Sequence, residues 1–302
     1  MKTNSTTDKS GHSDIPIHFI PEKIKKFEGK IILVKYGGNA MTDESIKQRV
    51  IQDIVLLKKN GAVPVIVHGG GIVIKNLLDD VGIQSEFIGG HRVTDVRAMS
   101  YVEMALSGSV NSDVVKILNY NGVKAVGISG KDANTVTARR RVHRITIDGK
   151  PVEADLGQVG DVDQINTDLI ETLIVAGYTP VVSPVASGSD LLDYNINADM
   201  FAGHMAGALK AEAYIALTNV DGILSDVNNP DSLIHTIKSD EMKAKIGTEI
   251  QGGMIPKIES CLIALENGVK EAHIINGTTP HTILKQLFSE SPPGTIIEKP
   301  DI

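Results

Sequence analysis

The sequence predicts an α/β fold: a three-layer αβα sandwich with a mainly parallel central sheet. Three observations carry this expectation. Short apolar runs such as Ile31-Ile32-Leu33-Val34 alternate with longer segments whose apolar residues recur every three to four positions. Two of the runs lead into glycine clusters, Gly37-Gly38 and Gly69-Gly70-Gly71, placed where a strand turns into a helix. Hydrophobic residues make up 41% of the 302, enough for a sizeable core and too many for global disorder.

The elements follow in order. Residues 1 to about 15 read as a disordered tail, and a short amphipathic helix is expected from near Pro21 to Lys26, so that 1–29 forms a tail plus an N-terminal helix. Ile31–Val34 is a buried strand. Asp43–Asn60 is a helix, with Ile46, Val50, Ile54 and Leu57 on one face and Gly61 as its stop. Val63–Val67 is a strand and Ile72–Val81 a helix. Helices are expected over Asp95–Leu106, with Thr94 as N-cap, and over Asn111–Asn119, followed by a strand at Ala125–Ile128. Thr135–Val142 and Arg144–Ile147 are β-rich, and Asp148-Gly149 is a hairpin turn, which suggests an antiparallel excursion over one end of the sheet. Alternation then resumes: helix Thr167–Ala176, strand Thr179–Ser183, helix Ala198–Leu209, strand Ala213–Thr218, helix Ile255–Asn267, strand Ala272–Ile275, helix Pro280–Phe288 and strand Thr295–Ile297. No linker splits residues 30–302, so one sheet with two lobes is expected.

Composition removes several function classes. A net charge of −7 and 4% aromatic residues disfavour a nucleic-acid partner. A lone Cys261, in an apolar helical run, excludes an intrachain disulfide and reads as a buried, inert thiol; there is no Cys/His cluster for structural zinc, and no metal ligand is assigned. Met1–Asp14 has no apolar stretch of the kind a secretory signal needs, and no run approaches the length of a membrane span; a cytoplasmic protein is expected.

Five motifs carry the chemistry. Lys35 ends a buried strand before Gly37 and Gly38, so it is either the cation of a phosphate-binding turn or a surface lysine on an ordinary tight turn. Gly69 and Gly70, in the triplet after His68, suit either close approach to a ligand or close helix–strand packing; His68 itself reads as structural. Neither loop matches the G-x-x-x-x-G-K-[ST] or G-x-G-x-x-G pattern. Arg92, ahead of a helix, could clamp a carboxylate with its planar fork or lie solvated on the surface. Asn195, Asn197 and Asp199 cluster at another helix start; capping explains Asn197 but not all three. Lys257, just after Pro256, sits in a helical first turn, where a cation opposes the macrodipole unless an anion lies beside it.

Taken together and in this order, these motifs resemble acetylglutamate kinase of the amino-acid kinase superfamily, from about Phe19 to Ile297. The marks are residues 34–41, the glycine triplet, Arg92-Val93-Thr94-Asp95, Asp155-Leu156-Gly157, residues 195–199 and Gly253-Met254-Ile255-Pro256-Lys257. The resemblance implies the carbamate kinase-like fold and ATP-dependent phosphorylation of the γ-carboxylate of N-acetyl-L-glutamate. Residues 30–184 would be the acetylglutamate lobe and 185–302 the ATP lobe. It implies that Lys35 and Lys257 stabilise the moving phosphoryl group and that Asp199 holds both lysines. Gly37, Gly38, Gly69 and Gly70 would offer backbone N–H groups. Arg92 and Asn195 would bind acetylglutamate. Thr218, Asn219, Gly253 and Met254 would lie at the nucleotide, with Mg²⁺ bridging its phosphates. A homo-oligomer is implied, a dimer core that the N-terminal helix could extend to a hexamer. Gln286 and Pro292 depart from the pattern of arginine-inhibited members, so weak or absent arginine inhibition is expected.

Overall fold

The computed structural model describes residues 20–41, 43–147, 150–226, 228–250 and 252–300. The expected tail and the Asp148-Gly149 turn lie outside these described residues. Helix α1 (Pro21–Lys26) starts on its proline and precedes β1 (Ile31–Tyr36). Helix α2 (Glu44–Lys59) is capped by the Asp43 carboxylate, which accepts from the Ser45 and Ile46 amides. Then come β2 (Val63–His68), α3 (Gly71–Asp80) and a small hairpin, β3 (Phe87–Ile88) and β4 (His91–Arg92).

Helix α4 (Val96–Glu103) continues through a π-helical segment, Met104–Val110, into α5 (Asn111–Tyr120). The two helices expected here are therefore one continuous helical run with a wide turn inside it. Its N-cap is Asp95, whose carboxylate accepts from the Ala98 amide at 2.7 Å, and not Thr94. Thr94 is held extended because its amide donates to Leu156 and its carbonyl accepts from Gln158, while its hydroxyl donates back to the Arg92 carbonyl at 2.8 Å.

Strands β5 (Ala125–Ser129), β6 (Val136–Arg140), β7 (His143–Ile147), β8 (Lys150–Ala154) and β9 (Val159–Ile165) precede α6 (Asp168–Val175) and β10 (Thr179–Ser183). Two strands that periodicity did not reveal follow, β11 (Val185–Gly188) and β12 (Asp193–Ile196). The expected antiparallel excursion is thus two structures. β7 and β8 pair as a hairpin, whereas β6 and β9 close with β11 and β12 into a four-stranded barrel of mixed pairing. β11 and β12 pair with each other but are only 4 residues each, too short to show alternation, and their remaining partners are distant in sequence.

The chain ends with α7 (Ala198–Ala208), β13 (Ala213–Thr218), β14 (Thr236–Lys238), α8 (Ser239–Lys245), α9 (Ile255–Glu266), β15 (Glu271–Asn276), α10 (Thr282–Phe288) and β16 (Thr295–Glu298). The main sheet runs β14-β16-β15-β13-β1-β2-β10-β5 and is parallel throughout except between β15 and β16. Strand alternation divides its side chains between two cores. Leu33, Val65 and Tyr214 pack with Phe201 and Met205 of α7 and Ile258 of α9; Ile32, Val34 and Ile215 pack with Ile51 of α2, Val114 of α5 and Leu284 of α10. Each such fully buried side chain stabilises the fold by about 1.5–3 kcal/mol. The expected three-layer αβα sandwich is this arrangement. β2, β10 and β5 lie on one side of β1, and β13, β15, β16 and β14 lie on the other.

Candidate active site

Parallel pairing brings the carboxyl ends of β1, β2 and β13 to one edge, with Lys35 opposite Val67 on one side and Ala216 on the other. Lys35 and Leu33 share a strand face, the face covered by α7. Asn197 caps α7 by accepting from the Asp199 and Met200 amides, which fixes Asp199 in the first turn. Lys257 occupies the first turn of α9. The two helices approach closely at Gly203, where a Cβ would lie 2.4 Å from the Ser260 carbonyl oxygen, so no other residue is accommodated there. The Ser260 hydroxyl donates to the Lys257 carbonyl at 2.7 Å, and the buried Tyr214 hydroxyl lies 3.1 Å from it.

The result is a three-charge cluster. Lys35 Nζ stands 2.9 Å from Asp199 Oδ1, and Lys257 Nζ donates to Asp199 Oδ2 at 2.9 Å. Burial works against the ionised carboxylate, but the ammonium groups of Lys35 and then Lys257 outweigh it and hold Asp199 below the usual carboxylate range. The anion beside Lys257 is thus Asp199 itself, and the three groups together carry a net positive charge.

The glycines flank this cluster. A Cβ on Gly37 would come within 3.1 Å of Lys35 Nζ. Gly38 has φ +66°, which a side chain would strain. Gly69 does not offer a free N–H: its amide donates to the Tyr36 carbonyl at 2.7 Å, stitching the two loops together. Its place in the site is close backbone approach. A Cβ on Gly70 would fall 2.7 Å from Leu106 Cδ2, so Gly70 lets the N-terminus of α3 pack on the π-helical segment. His68 is fully buried, and burial pushes its imidazole down to about 4, so it is neutral. Asn111 donates to its Nε2 at 3.1 Å, which leaves Nδ1 to donate to the Gly69 carbonyl at 2.9 Å. The structural reading of His68 holds: it braces the glycine triplet. Cys261 is also fully buried, and burial raises its thiol well above the usual range.

Arg92 reaches the same space from β4. Its Nη2 donates to the Gly71 carbonyl at 3.0 Å, its Nη1 donates to the Ser85 hydroxyl, and its guanidinium lies over the Phe87 ring at 4.7 Å. Asn195 donates through Nδ2 to Thr94 Oγ1 at 3.3 Å, and Gly157, with φ +68°, allows its loop to lie against the Thr94 carbonyl. A cavity of about 520 Å³ is lined by Lys35, Gly38, Gly69, Gly70, Arg92, Asn195 and Asp199. Gly37 adjoins it at Lys35, and Lys257 joins through Asp199. Thr218 ends β13 at the same sheet edge with Asn219 after it, and Gly253 and Met254 form a short turn ahead of α9; these four do not line the cavity. Among the described residues, no group of three or more His, Cys, Asp or Glu could hold a metal ion.

Sequence reasoning did not single out Phe87, Ser85 or Asn111. A signal for Phe87 exists in the two-residue Gly89-Gly90 turn, which sets the register that places Phe87 opposite Arg92. Asn111 is a polar residue on an otherwise apolar helix face, buried between two strands whose carbonyls it also meets.

Residues 30–276 match the model of the amino acid kinase family. The acetylglutamate kinase of Methanocaldococcus jannaschii is 49% identical over 91% of this chain and 93% of that protein. That of Moorella thermoacetica is 45% identical over 98% and 99%. Among solved structures, the N-acetylglutamate synthase of Neisseria gonorrhoeae, complexed with coenzyme A and N-acetyl-glutamate, aligns with a TM-score of 0.77 at 25% identity; it covers 93% of this chain, which spans 62% of the synthase. Carbamate kinase from Giardia lamblia shares the fold, with a TM-score of 0.64 at 17% identity, over 90% of this chain and 99% of its own. A family model spanning most of the chain and relatives near half identical over nearly full length together establish that this protein belongs to the amino acid kinase family, among the acetylglutamate kinases.

Proposed function

We propose that this chain transfers the γ-phosphoryl group of ATP to the γ-carboxylate of N-acetyl-L-glutamate, forming N-acetyl-L-glutamyl 5-phosphate in arginine biosynthesis. The observation that carries the reading is the Lys35–Asp199–Lys257 cluster, at 2.9 Å on each side, on the wall of a cavity that also holds Arg92 and Asn195. An acceptor carboxylate is already ionised at neutral pH, so no general base is needed. Asp199 is unsuited to be one, since both its oxygens are engaged by lysines. The task is to bring one anion onto another, which calls for positioning and for cations placed where charge accumulates.

In this reading Lys35 bridges the transferring phosphoryl group and Lys257 meets the leaving side, while Asp199 keeps both in place. Gly37, Gly38 and Gly70, with the unpaired first amides of α3, present N–H groups to phosphoryl and substrate oxygens. Arg92 pairs with the α-carboxylate, beside Asn195. Thr218, Asn219, Gly253 and Met254 contact the nucleotide, in the lobe formed by residues 185–302; residues 30–184 form the acetylglutamate lobe. Mg²⁺ would be carried by the ATP phosphates, mostly through water, since the described residues offer no dense carboxylate cage. The assembly is a homo-oligomer built on a dimer, with α1 available to extend it to a hexamer. No helix among the described residues is long and apolar enough to cross a membrane, in keeping with a cytoplasmic enzyme.

The test is a coupled ATP-consumption assay across N-acetylglutamate, glutamate, aspartate and carbamate. N-acetylglutamate is expected to be the preferred acceptor, and preference for another would overturn the assignment. Lys35→Ala and Lys257→Ala are expected to lower kcat far more than they raise KM for the acceptor; near-normal kcat in both would remove the lysines from the reaction.

A further inference from the structure

Phe87 is a large apolar side chain left 57% exposed at the mouth of the cavity, outside the buried cores. Packing does not explain it. Its ring instead lies beneath the Arg92 guanidinium, with the carbon of the fork 4.7 Å from the ring centroid. The arrangement is built by the turn. Gly89 and Gly90 have φ +56° and +80°, the left-handed pair that a tight two-residue hairpin requires, and this sets Phe87 directly across from Arg92. Ser85 takes one end of the fork and the Gly71 carbonyl the other, at 3.0 Å. From behind, the His143 ring lies on Gly89, where an added Cβ would fall 2.1 Å from Nε2, and it meets the His91 ring edge-on at 5.5 Å. The hairpin is therefore wedged in one position, with a guanidinium held on three sides.

We propose that Phe87, assisted by Ser85, is a positioning residue that orients the Arg92 fork for the α-carboxylate of the acyl amino acid. The inference rests on the reading of Arg92 as the carboxylate clamp. A guanidinium has five N–H donors, and Ser85 and Gly71 engage two. The others remain for a bidentate pair with the ligand. A free arginine side chain samples many rotamers and loses that freedom on binding; one already laid flat on a ring loses less. The ring also covers one face of the ion pair and removes water from it.

Steady-state kinetics on the full chain tests this. Phe87→Leu keeps an apolar cover but has no π face. It is expected to raise KM for N-acetylglutamate roughly threefold to tenfold, with kcat, KM for ATP and the unfolding midpoint unchanged. Phe87→Tyr restores the face and is expected to restore KM. In an Arg92→Gln background, Phe87→Leu is expected to add nothing. A wild-type KM in Phe87→Leu, or the same rise with Arg92 already removed, overturns the positioning role while leaving the clamp intact. An unchanged KM in Arg92→Gln alone overturns the clamp reading, and the positioning role with it.

Discussion

Replacing Asp199 with Asn tests the charge cluster at its centre. The side chain keeps its shape and loses its charge, leaving Lys35 and Lys257 to face each other without the anion that stands 2.9 Å from each. At that distance each pair is attracted by about 6 kcal/mol at an effective dielectric constant of about 20. Much of this only offsets the cost of taking three charges out of water, since the Asp199 and Lys35 side chains are each only 8% exposed. Removing one partner of such a cluster leaves the desolvation cost unmatched, so a loss of about 3–5 kcal/mol is expected. Both lysines should then move off the phosphoryl position. A displacement near 1 Å costs about a hundredfold, and losing an electrostatic donor costs up to about a thousandfold, so kcat should fall by about 10²–10³. Urea unfolding measures the first number and initial rates at saturating substrates the second. The pH profile gives a third readout. The Asp199 carboxyl is held below its usual range, so its contribution is present above the unfolded-state value near pH 4 and is lost as pH falls through the lower folded value. Wild-type stability should show that acid loss, and Asp199→Asn should lack it. A kcat within threefold of wild type, or an unfolding midpoint that does not move, would refute the reasoning.

Three further outcomes follow from the geometry. Gly37→Ala places a methyl group 3.1 Å from Lys35 Nζ with no other atom nearer than 3.6 Å beyond that lysine, so kcat should drop about ten- to a hundredfold while thermal unfolding is unchanged; a stable variant with full kcat would contradict this. Gln286 is buried, accepts from the Gly294 amide at 2.8 Å and lies 3.1 Å from His273 Nδ1, so Gln286→Leu should cost about 1–3 kcal/mol per orphaned group, read by urea unfolding, with kcat retained. That neutral amide, together with Pro292, leaves no carboxylate at these positions for a guanidinium ligand, so free arginine is expected to inhibit weakly or not at all; micromolar inhibition in the same rate assay would contradict it.

Much of the fold was legible from local pattern. Ala213–Thr218 is the strand that its apolar run predicts; the helix starts at Asp43 and Asn197 follow from side chains that accept from their own next amides, and Pro256 sits in a first turn, where its missing N–H loses no helical hydrogen bond. The same is true of the site's parts list. Lysines and glycines at strand ends mark themselves, because a parallel sheet gathers those ends at one edge. Thr94 misled as a cap because the helix starts one residue later, where the Asp95 carboxylate accepts from the Ala98 amide, while the Thr94 hydroxyl oxygen accepts from Asn195 instead. Strands β11 and β12 were silent because each is only 4 residues long, too short to set up a period, and the barrel that holds them also needs β6 and β9, far away in sequence.

The sequence by itself determined which residues could carry charge and which backbone could come close, since both depend on residue type and short-range order. Tertiary structure alone decided how those residues meet. That Asp199, and not a ligand, answers both lysines depends on α7 and α9 crossing at Gly203 and Ser260. That the Gly69 amide is already engaged depends on the spacing of β1 and β2. That Phe87 lies under Arg92 depends on the pairing of one hairpin. Each is a contact between segments whose distance is set by packing, and packing is a property of the whole chain.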